Sequence, residues 1–318
     1  MWKRRGRRRS FRSWLGRKFL KLLVWVLVIA IAAVAGLYYL PVSLLMVERE
    51  GNLSLTDGLP SSPMNVLVLG VDTEDNGAQR SDTMMIASID RGALKLTSIQ
   101  RDMLVDIDGH GNAKINAAYA YGGPELAVKT VNEAFDMNIM RYVVVDFTLL
   151  VKLVDALDGI HVDITETEMQ HINSNVLYSA RVFRPLGYTA TELKEYGEDV
   201  RLDGLQALGY ARIRKIDSDF ARTGRQRTVI DAMLRKLKGN LWNPVMVARF
   251  VLTGLEGIET NLSPVELISL GEKAMMSGGI DQLRLPLDGT FSDNGSSLKV
   301  TDRNRNISRL REFVYGME

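Results

Sequence analysis

Asn65-Val66-Leu67-Val68-Leu69-Gly70-Val71-Asp72 opens the folded part of the chain, and its reading decides the architecture. A continuous apolar run that stops at Gly and Asp is the pattern of a buried strand. Two further strand patterns follow at Thr83–Asp90 and Ala93–Gln100, joined through Asp90-Arg91-Gly92, and read as a hairpin. Beyond them helix and strand patterns alternate. Pro124 starts a helix through Phe135, Tyr142–Phe147 is strand-like, and Leu149–Leu157 is helical up to Asp158-Gly159. Leu205–Ile213, Arg225–Leu237, Pro244–Leu255, Pro264–Met275 and Asn304–Val314 are further helix patterns, with strand-like Gln282–Pro286 between the last two. The expected fold is therefore a layered α-β-α domain over residues 64–318, its central sheet made mixed by the early hairpin.

The segment before this domain is of a different kind. Ten of the 40 Lys and Arg residues fall within residues 1–21, which leaves 30 against all 38 Asp and Glu, a net of −8 for the rest. The domain is thus acidic, which argues against nucleic-acid binding despite a basic whole-chain balance. Residues 22–47 carry no charge and are long enough to cross a bilayer. Ten cations before the span, against Arg49 alone close behind it and flanked by Glu48 and Glu50, predict a cytoplasmic tail (1–21), a transmembrane signal anchor (22–47) and an extracellular domain on the cell membrane. Signal-peptide cleavage at Ala33-Val34-Ala35 is the competing reading; the uncharged run continues well beyond that tripeptide, which favours the uncleaved anchor. Residues 48–63, polar and rich in turn formers, read as a linker. With no Cys in the chain, an exported domain has neither disulfides nor thiol chemistry.

Three constellations carry chemistry. Asp72 ends the first strand and Asp82, after Arg80-Ser81, opens the second. Together they are either turn residues or half of a Mg²⁺ site completed by phosphate oxygens. Arg101-Asp102 ends the third strand, as a surface ion pair or a site group. Arg212, Arg214, Arg222, Arg225 and Arg227 place five guanidinium groups within sixteen residues, with Asp217 and Asp219 among them. Planar forks suit bidentate phosphate binding; a solvated basic helix start is the alternative. Neither His spacing nor a Ser–His pairing supports zinc or serine-hydrolase chemistry.

These segments, taken in order, resemble the LytR-CpsA-Psr family: NVLVLGVD (65–72), RSDTMM (80–85), SIQRD (98–102), KINAAYAYGGP (114–124) and LDGLQALGYARIRKIDSDFARTGRQR (202–227), all within 64–240. The resemblance implies a phosphotransferase that moves a glycopolymer, teichoic acid or capsular polysaccharide, from a polyprenyl-pyrophosphate-linked donor onto peptidoglycan and releases polyprenyl phosphate. It implies Mg²⁺, or Mn²⁺, on Asp72 and Asp82, and pyrophosphate binding by Arg80, Arg101, Arg212, Arg214 and Arg222, with Arg225 and Gln226 beside them. Asp72, Asp82, Arg101 and Asp219 are the implied catalytic set. Its partners are the lipid-linked glycan, peptidoglycan and membrane lipid. Two alternatives use the same pocket: a non-catalytic wall-polymer-binding or regulatory protein, and a pyrophosphatase that gives the glycan to water. The last motif departs from the family pattern at Ala221 and Gly224. Gly lowers helix propensity by about 1 kcal/mol, so the helix carrying Arg225 is expected to start after Gly224.

Overall fold

The structure is a computed structural model that describes residues 52–72, 80–90, 92–214, 216 and 219–317, and of Asp219 only the backbone. The expected basic tail and membrane anchor lie outside these residues. Strands β1 (Met64–Val71), β2 (Ser81–Asp90) and β3 (Ala93–Ile99) are followed by a hairpin, β4 (Met103–Ile107) and β5 (Gly111–Lys114). Helix α1 (Ala117–Phe135), β6 (Arg141–Asp146), α2 (Phe147–Ala156), β7 (Ile160–Ile164) and α3 (Glu166–Phe183) come next. Then follow β8 (Gly197–Leu202), α4 (Gly204–Ala211), α5 (Asp219–Gly239), α6 (Pro244–Gly257), β9 (Glu259–Thr260) and α7 (Pro264–Met276). Strands β10 (Ile280–Leu285), β11 (Phe291–Asp293) and β12 (Leu298–Val300) lead to α8 (Arg303–Tyr315).

Among the described residues, six strands form one sheet in the order β10-β3-β2-β1-β6-β9. It is mixed, as expected: β1 runs antiparallel to β2 and parallel to β6, while β10 runs parallel to β3. Alternation along β1 divides the core. Leu67, Leu69 and Val71 face one apolar cluster with α1 and α8, and Val66 and Val68 face another with α5 and α7. A third cluster holds α2, α3, α4 and the β7–β8 pair together.

The registers give the sheet two distinct edges. At the upper edge lie the end of β1, the start of β2, and the ends of β3, β6 and β10, since Val71 pairs with Ser81 and Asp146 and Ile99 pairs with Met84 and Leu285. The start of β1, the Asp90–Ala93 turn and the starts of β6 and β10 form the lower edge. Gly70 pairs with Thr83 and Val71 with Ser81, which leaves Asp82 as the extra residue of a β-bulge. Bulges re-aim a side chain, and this one sits beside the first motif. Gly70 is required there, because a Cβ would lie 2.8 Å from the Thr83 Cβ across the strand pair.

Two expectations change in detail. The expected helix at Pro124 is joined by an earlier segment from Ala117, and the two halves of α1 meet at a kink where Gly122 and Gly123 leave helical geometry. Helix α5 starts at Asp219 rather than after Gly224. Its first turns bury Arg222 and Thr223 at 1% and 3% exposure, so packing outweighs the cost of one glycine. The linker residues 52–63 lie against the lower edge: Asn132 Nδ2 donates to the Leu53 carbonyl at 2.9 Å, Thr56 N to the Met137 carbonyl at 3.0 Å, and Ser62 Oγ to Asp90 at 3.0 Å.

Candidate functional site

A cleft of about 810 Å³ opens at the upper edge, and the sequence motifs converge on it. Asp72 arrives from the end of β1, Asp82 from the bulge, Arg101 and Asp102 from the end of β3, Lys114 from β5, and Arg212 and Arg214 from the segment between α4 and α5. Arg80 also lines it. Among the described lining residues, five cations face three carboxylates, a net positive balance that suits a polyanion.

Asp82 is the hub. Its two carboxylate oxygens accept from Arg101 Nη1 at 2.5 Å and Arg214 Nη2 at 2.6 Å, and its backbone carbonyl accepts from Arg222 Nη2 at 3.3 Å. Burial pushes the Asp82 carboxyl up, but the positive charge of Arg101, Arg214 and Arg222 outweighs it and holds the group below its ordinary value of 3.8. A depressed carboxyl stabilises the fold above the unfolded-state value and loses that contribution as pH falls through the folded one. The stability difference between the native chain and Asp82→Asn is therefore expected to be largest at neutral pH and to shrink from about pH 5 downward. Denaturant unfolding at stepped pH measures this. A difference that stays constant with pH would remove Asp82 from the role of internal counter-ion.

Asp72 is held by Arg212 Nη2 at 3.3 Å, and the Arg212 guanidinium lies 4.8 Å over the Phe147 ring and 5.7 Å from Tyr178. Stacked between rings, its fork keeps a fixed plane. Arg101 also meets Asp102, which accepts from Lys114 Nζ at 2.7 Å.

The remaining expected residues lie behind this front. Arg222 is 1% exposed and forms the floor under Asp82. Arg225 points away from the cleft to Glu168 Oε1, at 2.8 Å, and Gln226 has its Oε1 buried. Arg227 donates to Ser98 Oγ at 2.7 Å and Gln282 Oε1 at 2.6 Å, and it does not line the cleft. The side chain of Asp219 lies outside the described residues.

One wall was not read from sequence. Helix α3 contributes His171, Ser174, Asn175, Tyr178 and Ser179 to the cleft. These fall on one side of a helix, with Tyr178 more than half exposed. Among the described residues the buried Ser179 Oγ and Asn116 Oδ1 have no hydrogen-bond partner, so the site's lining is not fully satisfied internally. The helix did carry a start signal, the Thr165-x-x-Glu168 capping box, in which Glu168 N donates to Thr165 Oγ1 at 3.2 Å and Thr165 N to Glu168 Oε2 at 3.0 Å.

The donor set fits a hard divalent cation that takes its other ligands from phosphate and water. Asp72 and Asp82 both face the cleft, while among the described residues no cluster of three or more His, Cys, Asp or Glu forms a complete protein cage.

Comparison with known proteins gives one answer at every level. The LytR_cpsA_psr family matches residues 47–310. Among curated proteins, the polyisoprenyl-teichoic acid–peptidoglycan teichoic acid transferase TagU of Enterococcus faecalis is 32% identical over 310 residues, 91% of this chain and 94% of its own. The regulatory protein MsrR of Staphylococcus aureus is 30% identical over 265 residues, 79% of this chain and 74% of its own. A structure of TagT bound to LIIa-WTA superposes with a TM-score of 0.63 at 26% identity, covering 84% of this chain and 94% of that one. TagT with bound octaprenyl pyrophosphate lipid superposes with a TM-score of 0.59 at 25% identity over the same shares. With its ordered motifs gathered at one cleft, its mixed sheet shared with TagT, and the family match spanning most of its length, the chain belongs to the LytR-CpsA-Psr family.

Proposed function

We propose that this chain is a membrane-anchored phosphotransferase that moves a glycopolymer, of the teichoic acid or capsular polysaccharide kind, from polyprenyl pyrophosphate to peptidoglycan. The observation that carries this reading is the convergence of Arg101, Arg212 and Arg214 with Asp72 and Asp82 in a single positively lined cleft. TagU's name as a teichoic acid transferase and TagT's bound octaprenyl pyrophosphate support both the substrate and the reaction class.

Phosphoryl transfer asks the protein mainly for positioning and charge neutralisation. Arg212 and Arg214, with Arg80 at the rim, hold the pyrophosphate oxygens; Arg101 and the buried Arg222 fix Asp82 beneath them. An acceptor hydroxyl of peptidoglycan attacks the glycan-side phosphorus. A new P–O bond forms, the bond from that phosphorus to the bridging oxygen breaks, and polyprenyl phosphate leaves with the bridging electrons. The hydroxyl proton passes to a carboxylate, either Asp72 of the cleft or Asp219, which the family motif implies. Mg²⁺ would be held by Asp72 and Asp82, and when bound it neutralises pyrophosphate charge. The polar α3 wall with Tyr178 suits the sugar end of the donor, since a sugar ring presents hydroxyls at its rim and an apolar face.

The test uses the full chain in detergent with a polyprenyl-pyrophosphoryl saccharide, Mg²⁺ and peptidoglycan oligomers. Saccharide covalently joined to peptidoglycan, with polyprenyl phosphate released, is the expected result. Saccharide phosphate released into water would make the protein a pyrophosphatase, and tight donor binding with no turnover in Mg²⁺ or Mn²⁺ would make it a binding or regulatory protein.

A further inference from the structure

The cleft and the tether occupy opposite edges of the sheet. Asp72 and Asp82 stand at the upper edge, whereas residues 53–62 are bonded to the lower one through Asn132, Met137, Asn138 and Asp90. Strand β1, eight residues long, separates them by about 25 Å. Only four residues lie between Val47, the end of the uncharged run, and Asn52, and the five steps they span reach at most about 18 Å. Whatever plane holds the uncharged run therefore lies close beneath the lower edge.

That edge exposes several large apolar side chains. Helix α7 crosses it from β6 toward the β2–β3 turn. Near its start Arg141 pairs with Glu266 at 2.7 Å and Asn261 Nδ2 donates to the Met140 carbonyl at 2.9 Å; just past its end Gly278 N reaches the Gly92 carbonyl. Val265, Ile268 and Met276, at i, i+3 and i+11, share its outward face, with Val265 66% and Met276 65% exposed. Lys238 Nζ donates to the Ser277 carbonyl at 2.7 Å, which brings the end of α5 alongside; the turn that follows presents Trp242, 70% exposed, and the first turn of α6 presents Val245, 74% exposed. Large exposed apolar side chains gathered on one side mark an interaction surface, and tryptophan favours the boundary between lipid and water.

We propose that this lower edge, with Val265, Ile268, Met276, Trp242 and Val245 as its contacts, rests on the outer leaflet of the membrane. The occupant is lipid because the tether is bonded to the same edge and its short reach keeps that edge, rather than the cleft, facing the bilayer at close range. Glu272 lies on the same face of α7, so attachment is apolar rather than electrostatic and should resist salt. The proposal rests on the membrane anchor, and not on the chemistry assigned to the cleft.

Because the chain has no cysteine, single Cys substitutions can be spin-labelled one at a time. The full chain would be reconstituted in phosphatidylcholine nanodiscs with a label at Val245→Cys, Val265→Cys or, as the upper-edge control, Tyr178→Cys. Accessibility to oxygen relative to a water-soluble nickel chelate is the readout. A several-fold higher ratio at 245 and 265 than at 178, unchanged between low and high salt, is expected. Equal ratios at all three sites, with the protein still in the nanodisc, would overturn docking. Dipolar coupling between labelled copies, with both reagents excluded, would overturn it by making the face a self-interface. A chain that does not associate with lipid at all would refute the anchor and this proposal together. Transfer from a detergent-solubilised donor should be unaffected by Val245→Ser with Val265→Ser, which keeps this proposal separable from the functional reading.

Discussion

Arg214→Ala should lower the transfer rate by about 10²–10³-fold, the usual loss when one donor to a developing anion is removed, whereas Arg227→Ala should leave it within a few-fold. Both belong to the same arginine-rich run, so sequence position does not separate them. Geometry does. The Arg214 guanidinium is nearly half exposed within the cleft and holds Asp82 Oδ2 at 2.6 Å, ready to turn to an incoming phosphate. Arg227 is committed to Ser98 and Gln282, where it ties α5 to strands β3 and β10. Rates measured at saturating donor distinguish lost transition-state stabilisation from weakened binding. Equal, small losses in the two variants would refute the assignment of the cleft arginines to pyrophosphate.

Arg225→Ala should act on the fold instead, costing about 3–5 kcal/mol, as expected when one partner of a buried ion pair is removed. The pair's side chains are 8% and 13% exposed, and Glu168 is left with a buried charge in the variant. Glu168 also closes the capping box of α3, so the pair fixes the start of the cleft's polar wall against α5. Denaturant unfolding measures the loss. The double variant Arg225→Met with Glu168→Leu should recover much of it, because no unpaired charge remains. If Arg225→Ala instead kept full stability and raised KM for the donor, Arg225 would be a ligand contact, as the sequence motif alone implies.

The sheet was readable because its strands are apolar runs bounded by turn residues, and the mixed topology followed from one hairpin. Helix α3 was not, because a wall that faces a polar cleft on one side and packs on the other spends its outward positions on His171, Ser174, Asn175 and Tyr178. Asn173-Ser174-Asn175 interrupts its apolar period, and only the Thr165–Glu168 box announced it. The short strands β4, β5, β8, β9, β11 and β12 were missed for a related reason: they are brief and bury few side chains; β7 was missed although Ile160, Val162 and Ile164 are buried at period two, because it is only five residues long. Within the site, Asp72, Asp82, Arg101, Arg212 and Arg214 could be named from sequence, since strand ends and the loop before a helix deliver side chains to one sheet edge. Arg222, Arg225 and Arg227 could not be told apart, because their neighbours on a helix face different directions and only packing shows that one lies under Asp82, one meets Glu168 and one meets Ser98.

The carboxylate of Asp82, clasped by Arg101 and Arg214, makes ligand entry an exchange of anions rather than the filling of a bare positive hole. A phosphodiester brings a single negative charge to guanidinium groups that already hold a carboxylate, and gains little by displacing it. A pyrophosphate, which brings two charges on adjacent phosphorus atoms, would under the proposed function compete for Arg212 and Arg214 against Asp72 and Asp82 together. On the proposed reading, the same step would free Asp72 and one oxygen of Asp82, still held by Arg101, for a divalent cation. Under the proposed function, the site's internal salt bridges would therefore favour a diphosphate linkage over the single phosphates of a polymer chain.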